Sequence, residues 1–151
     1  MDRNAKIERI GEVLALILHL MRGEAFSKTK LVKLIYLLDV IQSRKGRHNF
    51  SGVDFRSYYY GPYSEDIEES ISLLANMGYI SVTLNQSPSG TPYYHFKLNT
   101  IPSFGRVTDE DKRQIQEYLM PLIELNSKQL LNISSETKEY REVELGEAIR
   151  L

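Results

Sequence analysis

The sequence has neither cysteine nor tryptophan among its 151 residues. Without cysteine there can be no disulfide framework, thiolate zinc site or cysteine nucleophile, and the chain fits a reducing compartment. The common short enzyme motifs are also absent: GxSxG, the phosphate-binding P-loop, the dinucleotide fingerprint and HExxH. These absences predict no catalytic residue, no cofactor and no metal site, and they favour a binding protein over an enzyme.

Long apolar runs are missing as well. Residues 13–18 are continuously apolar, but Glu12 and His19 flank them, and six residues are far too few to span a bilayer. We interpret this run as one part of an amphipathic helix. The length of 151 residues is typical of one domain, and no linker-like tract interrupts it. We therefore expect a single cytoplasmic domain over residues 1–151.

Charge is nearly balanced overall, with a formal net charge of −1, but its distribution is uneven. Residues 25–60 carry seven basic side chains against two acidic ones, which makes a local basic patch. Two of the lysines fall in the first turn of a predicted helix, where positive charge opposes the helix dipole. Either a solvated helix end or an anionic partner would account for that placement. The candidate contacts to an anion or nucleic acid are Lys28, Lys30, Lys33, Arg44, Lys45, Arg47 and Arg56.

Apolar residues recur at three- and four-residue spacing over most of the chain, which predicts helices. Ser27, Ser64 and Thr108 are suitable N-caps, and Pro121 should kink or divide the helix that contains it. The predicted helices cover residues 5–22, 27–44 and 64–77, a stretch beginning at 108, and residues 127–133 and 140–149.

One region reads clearly as β structure. Residues 79–84 and 92–98 are rich in β-branched and aromatic side chains, and a polar, turn-rich segment separates them, so they predict a hairpin. Residues 45–62 are expected to form a loop with extended stretches. The predicted fold class is mainly α (α+β), a helical domain with one β-hairpin. Three helices followed by a hairpin is also the element order of a winged-helix domain.

The predicted third helix argues against the usual DNA-binding use of that order. In helix-turn-helix proteins the second helix of the motif enters the major groove. Here that helix begins with Glu65, Asp66, Glu68 and Glu69 and has no lysine or arginine, so phosphates would repel it. We expect these acids to form a solvated face. The three histidines fall on three different predicted elements and suggest no shared site.

The most distinctive segment is the tyrosine-rich stretch from residue 58 to residue 63. It contains four tyrosines, one glycine and one proline, and it immediately precedes the acidic helix. Tyrosine offers a large contact area at low entropic cost and is enriched at protein interfaces. The alternative is that alternate tyrosines pack on the core, and both can hold because neighbouring residues of an extended strand face opposite sides. The candidate protein-binding residues are Tyr58, Tyr59, Tyr60, Gly61, Pro62, Tyr63, Glu65, Glu68 and Glu69.

Two motifs resemble those of a known family. Lys33-Leu34-Ile35-Tyr36 in a central helix, followed by Tyr60-Gly61-Pro62 before another helix, resembles the Panacea domain of SocA-like antitoxins. Residues 129–137 are loosely similar to a short C-terminal helix of that family. The family commonly has tryptophan before its Tyr-Gly-Pro, whereas this chain has tyrosine there, and its hairpin is longer than the family leads us to expect.

The resemblance implies a mainly helical domain that binds a protein toxin and neutralises or presents it, without cofactor or catalysis. The alternative function is a winged-helix-like DNA-binding transcriptional regulator that uses the basic patch. An enzyme is the third hypothesis, and nothing in the sequence specifies a site for it.

Overall fold

The computed structural model describes residues 2–151, which fold into helices and two small antiparallel sheets. The chain is thus of mixed α+β class with mainly helical content. The helices are α1 (Arg3–Leu20), α2 (Lys28–Arg44), α3 (Glu65–Asn76), α4 (Asp109–Ile123), α5 (Ser127–Ser135) and α6 (Lys138–Arg141). The strands are β1 (Glu24–Ala25), β2 (Phe55–Tyr58), β3 (Gly61–Tyr63), β4 (Ile80–Gln86), β5 (Pro92–Leu98) and β6 (Ala148–Ile149).

The first sheet contains the predicted hairpin. Strands β4 and β5 pair antiparallel with Val82 opposite Phe96, and residues 87–91 form the turn that the polar segment predicted. Strand β1 adds to the other side of β5, which gives the order β1-β5-β4. Two residues are too few for an alternation pattern, so β1 is a feature that the sequence did not reveal.

The second sheet corrects two predictions. Residues 45–62 were expected to be a loop with extended stretches; within and just after them, residues 55–63 form the hairpin β2-β3, so the chain contains more than the one predicted β-hairpin. The C-terminal helix predicted over residues 140–149 is wrong: α6 ends at Arg141, and β6 pairs antiparallel with β2. Gly146, with a φ of +85°, turns the chain. Burial of Ile149 opposite Phe55 then outweighs the local helical spacing.

Helix α2 lies at the centre of the fold. Every side chain from residue 31 to residue 40 is buried, as expected for a helix that is apolar over most of its circumference. Helix α1 packs beside α3 at a close approach, where a Cβ at Gly11 would lie 3.2 Å from Leu74 Cδ2. One buried cluster joins apolar side chains of these helices with Phe55, Phe96 and Ile149 from the strands.

Local capping explains where the later helices begin. Ser64 accepts a hydrogen bond from the N–H of Asp66, and Thr108 and Asp111 form a reciprocal capping box. Pro121 does not divide α4, which continues to Ile123. Both Pro121 and Glu117 are exposed, so solvent can satisfy the Glu117 carbonyl that proline leaves without a donor.

Across residues 2–151 we find no helix with the length and apolarity that a bilayer crossing requires.

Candidate functional site: the tyrosine turn and its pocket

The two sequence motifs meet in space. Lys33 lies mid-helix in α2 and is only 3% exposed, and its Nζ donates a hydrogen bond to the carbonyl of Pro62 at 2.5 Å. Gly61, the preceding residue, has a φ of +99°, where residues with a Cβ are strained. A Cβ there would also lie 2.8 Å from Leu131 Cδ1 and 3.1 Å from Lys33 Nζ. Glycine is therefore required on both conformational and steric grounds.

Tyr36, one turn after Lys33 on α2, contacts both β2 and the segment that follows α5. Its side chain is fully buried, and its ring meets Phe55 of β2 edge-on at a centroid distance of 5.3 Å. Its hydroxyl lies 2.7 Å from Thr137 Oγ1, just beyond α5. Burial raises the pKa of Tyr36 to about 12, so the hydroxyl keeps its proton at neutral pH. Helix α2 thus holds both β2 and the α5–α6 junction in place.

The tyrosine turn is the β2–β3 hairpin of residues 58–63. Tyr58 pairs with Gly61, so Tyr59 and Tyr60 form a two-residue turn, and they are 83% and 82% exposed. Tyr58 is 41% exposed and its ring meets Tyr63 edge-on at 5.4 Å. None of these four rings is fully buried, and the core-facing positions of β2 belong to Phe55 and Ser57.

A cavity of about 420 Å³ lies between this turn and α2. Its walls are largely apolar and include Val32 and the tyrosine rings. The lining comes from Lys28, Thr29, Val32 and Lys33 on α2 and from Tyr58, Tyr60, Gly61 and Tyr63 on the turn.

The acidic residues of α3 form the expected solvated face only in part, because Glu65 and Glu69 are exposed whereas Asp66 is buried. Asp66 is 6% exposed and accepts hydrogen bonds from Arg3 at 2.8 Å, from Lys6 at 3.1 Å and from the N–H of Asp54 at 2.9 Å. Burial opposes ionisation of this carboxyl, but the donors outweigh it and lower the pKa of Asp66. Glu69 is exposed and pairs with Arg3.

Glu68 links α3 to the tyrosine turn. It accepts hydrogen bonds from Lys28 Nζ at 2.7 Å and from the Tyr63 hydroxyl at 2.8 Å. Burial works against its charge, but these donors lower the pKa of Glu68. Burial and the bond to Glu68 raise the pKa of Tyr63. Glu65 is exposed and has no ion pair among residues 2–151, so it is the acid most available to an external partner.

Three of the residues proposed to contact nucleic acid already have anionic partners inside the chain. Lys28 pairs with Glu68, Arg44 with Glu139 at 2.8 Å, and Arg47 with Asp111 at 2.9 Å. Such pairs reduce the charge presented to an external phosphate.

The remaining members of the basic patch are also engaged. Lys33 is buried, and Lys30 donates to the carbonyl of Ile123. Arg56 donates to the carbonyl of Gly146 at 3.1 Å, and the Lys45 ammonium lies 5.3 Å from the centre of the Tyr118 ring. The patch is therefore spread over several internal contacts, and its role toward nucleic acid stays a prediction.

The three histidines lie on different parts of the fold and share no hydrogen-bond partner among residues 2–151. His19 is exposed on α1, and His48 contacts Ser43 at 3.1 Å. His95 contacts Glu24 at 2.8 Å and stacks on Phe26. Within residues 2–151, no group of three or more histidine or acidic side chains is placed to hold a metal ion.

Two residues of this site were not predicted individually. Leu131 fills the space beside Gly61, and Thr137 meets the Tyr36 hydroxyl. Both fall in residues 129–137, and the only sequence signal for them was the loose family similarity of that stretch.

Comparison with protein families identifies a related domain. The family model described as "Antitoxin SocA-like, Panacea domain" matches residues 31–140, which include both motifs and the segment that carries Leu131 and Thr137. Searches of curated proteins and of solved structures find no match.

Proposed function

The chain belongs to the family of SocA-like antitoxins with a Panacea domain, and on that premise we propose that it binds a protein toxin and neutralises or presents it. The surface we assign to this task is the tyrosine turn, with Glu65 at its edge. The exposure of Tyr59 and Tyr60 at the tip of a firmly held hairpin is the observation that carries the proposal.

Two physical features support this surface. Exposed tyrosines bury a large area on binding with few rotatable bonds to freeze, which is why tyrosine is enriched at binding hot spots. The hairpin is also pre-organised, because Lys33 holds the Pro62 carbonyl and the Tyr140 hydroxyl donates to the Tyr58 carbonyl at 2.9 Å. A rigid loop loses less entropy on binding than a flexible one.

The other predicted binding residues have positioning roles in this proposal. Gly61 and Pro62 are buried and shape the turn. Glu68 is tied to Lys28 and Tyr63, and Glu69 to Arg3, so the acidic helix offers less steering charge than its sequence suggests. A basic partner is therefore not essential to the proposal.

The test is co-expression with the product of the adjacent gene, followed by growth measurement and co-purification. Wild type should restore growth and retain the partner. The double variant Tyr59→Ala/Tyr60→Ala should weaken binding by roughly thirty-fold or more, since hot-spot truncations cost about 2 kcal/mol or more. Met120→Ala, on α4 and 49% exposed, changes an exposed apolar side chain outside the turn and its pocket lining, and it should bind like wild type.

An adjacent product that is harmless alone and never co-purifies would argue against the antitoxin role. If the double tyrosine variant binds as tightly as wild type, the interface does not include this turn.

A winged-helix-like DNA-binding regulator is the second candidate. Three helices precede the β4–β5 hairpin, and β1 pairs with that hairpin, which favours this candidate. Strands β2 and β3, which lie between α2 and α3, depart from the plain winged-helix order. The acidic α3 and the internal pairing of Lys28, Arg44 and Arg47 oppose it. DNA binding should weaken steeply as salt increases, so an electrophoretic shift measured over a salt series decides this candidate.

We also propose that the protein has no catalytic role of its own. The contacts of the histidines support this, because His48 bonds to Ser43 and His95 to Glu24, so the two do not share a hydrogen-bond partner of the kind that joint acid–base catalysis uses.

A further inference from the structure

The Lys33 ammonium has less compensation than a buried charge normally requires. It carries three N–H donors, and among residues 2–151 its only hydrogen-bond acceptor is the Pro62 carbonyl. No carboxylate in that part of the chain lies within ion-pair distance, whereas the neighbouring Lys28 is paired with Glu68. An isolated buried charge is costly unless it is paired.

Burial accordingly lowers the pKa of Lys33, to about 8, and the group is still mostly protonated at neutral pH. A positive charge with free donors therefore lines a cavity whose other walls are largely apolar. A pocket with apolar walls and one positive charge suits a ligand with an apolar body and a single anionic end.

The cavity is large enough for such a group. Its volume of about 420 Å³ falls within the range of about 300–1,000 Å³ found for ligand pockets. Val32 and the rings of Tyr58 and Tyr60 provide apolar contact. The Lys33 ammonium is the one positive charge of the lining without an anionic partner among residues 2–151.

We propose that this pocket captures the C-terminal residue of the partner protein, with its apolar side chain in the cavity and its α-carboxylate on Lys33. The inference rests on the proposed function, because it places a specific feature of the bound protein in the site beneath the tyrosine turn. An internal aspartate or glutamate fits less well, since it would bring a carboxylate on a short stem and leave the apolar walls uncovered. A C-terminal leucine, isoleucine, methionine or phenylalanine supplies both parts.

The first experiment needs no variant. Fluorescein-labelled hexapeptides ending in leucine, isoleucine, methionine or phenylalanine are titrated with the full chain, each as the free acid and as the C-terminal amide. At least one free acid should bind ten- to a hundred-fold more tightly than its amide, the range expected for a charged hydrogen bond. Equal binding of acid and amide, or no binding by any of the eight peptides, would overturn the inference.

Lysine variants then assign the carboxylate contact. Lys33→Met should abolish the difference between acid and amide. Lys30→Met, on the same helix but bonded to the Ile123 carbonyl outside the pocket, should preserve it. Thermal melting checks that both variants fold. A Lys33→Met protein that is folded and still prefers the acid contradicts the inference.

A further titration distinguishes the C-terminus of a protein from a free small molecule as the source of the bound carboxylate. N-acetyl-phenylalanine and its amide carry the same end group without a peptide chain. Because Tyr59 and Tyr60 can contact the rest of the peptide, the peptide acid should bind at least ten-fold more tightly than N-acetyl-phenylalanine. Equal affinity would show a small-molecule site and contradict capture of a protein terminus.

The outcomes also separate this inference from the proposed function. Co-purification of a toxin that is unaffected by Lys33→Met would retain the antitoxin role and reject the carboxylate pocket. Acid-selective peptide binding without any toxin partner would retain the pocket and reject the antitoxin role.

Discussion

Substituting Gly61 by alanine should destabilise the chain far more than the same change at another turn. The substitution adds one methyl group at a φ of +99°, where alanine is strained. That methyl would also lie 2.8 Å from Leu131 Cδ1 and 3.1 Å from Lys33 Nζ. Leu131 is half-buried and Lys33 is buried, so the added methyl must displace the Leu131 side chain or pull the Lys33 ammonium off the Pro62 carbonyl.

The magnitude follows from these two effects. A left-handed backbone costs an L-residue about 1–2 kcal/mol, and overpacking a filled site costs about 1–3 kcal/mol. The free energy of unfolding should therefore fall by roughly 2–5 kcal/mol. Gly46 is a matched control, because its φ is +87° and nothing lies within 4 Å of a Cβ placed there. Gly46→Ala should cost only the backbone part, about 1–2 kcal/mol.

Urea denaturation of the three proteins measures both values. Gly61→Ala should show a lower midpoint than Gly46→Ala at an unchanged m-value. If the two variants lose the same stability, the close approach of Leu131 and Lys33 to Gly61 is not a real constraint. Glycine would then not be required at position 61 on steric grounds.

Three further substitutions test the buried polar groups and one helix cap. Burial lowers the pKa of Lys33 from 10.5 to about 8 in the folded state. Between pH 8 and 10.5 the unfolded state therefore holds the Lys33 proton more tightly than the folded state does. Stability should thus rise by about 2 kcal/mol from pH 8 to 9.5, and Lys33→Met should remove that rise in urea titrations. Burial raises the pKa of Asp39 to about 7, so the folded state binds more protons between pH 4.5 and 7 and stability falls with rising pH. Asp39→Asn can still accept the hydrogen bond from the Ser51 N–H, but its free energy of unfolding should no longer fall between pH 4.5 and 7. If the variant loses stability with pH as steeply as wild type, Asp39 is not the group that titrates. Thr108→Ala removes an N-cap and should cost about 1 kcal/mol in the same assay, and no loss would mean that the capping box of α4 contributes nothing.

The fold was predictable where its determinants are local. Ser27, Ser64 and Thr108 cap helices that begin as the sequence indicates, because a cap depends on a few neighbouring residues. Strands β1 and β6 were missed because two-residue strands exist only through pairing with distant segments. The predicted C-terminal helix failed for the same reason, since its apolar residues serve that pairing.

The site was predictable in composition but not in arrangement. The tyrosine run marked the turn, yet no spacing rule places the Lys33 ammonium on a carbonyl 29 residues further along the chain. The acids of α3 were interpreted as a solvated face because their partners, Arg3 and Lys6, lie about sixty residues away on α1. Contacts of that range follow from helix packing, which the sequence pattern does not define.

The position of α1 has a consequence for how the chain can be divided. The family match begins at residue 31, after α1 has ended. Yet α1 contributes six large apolar side chains to the core: Ile7, Ile10, Val13, Leu14, Ile17 and Leu18. At about 1.5–3 kcal/mol each, their burial is worth about 10 kcal/mol or more, as much as the whole stability of a typical domain. A fragment trimmed to the matched range would therefore keep every residue by which the family is recognised and still be unable to fold.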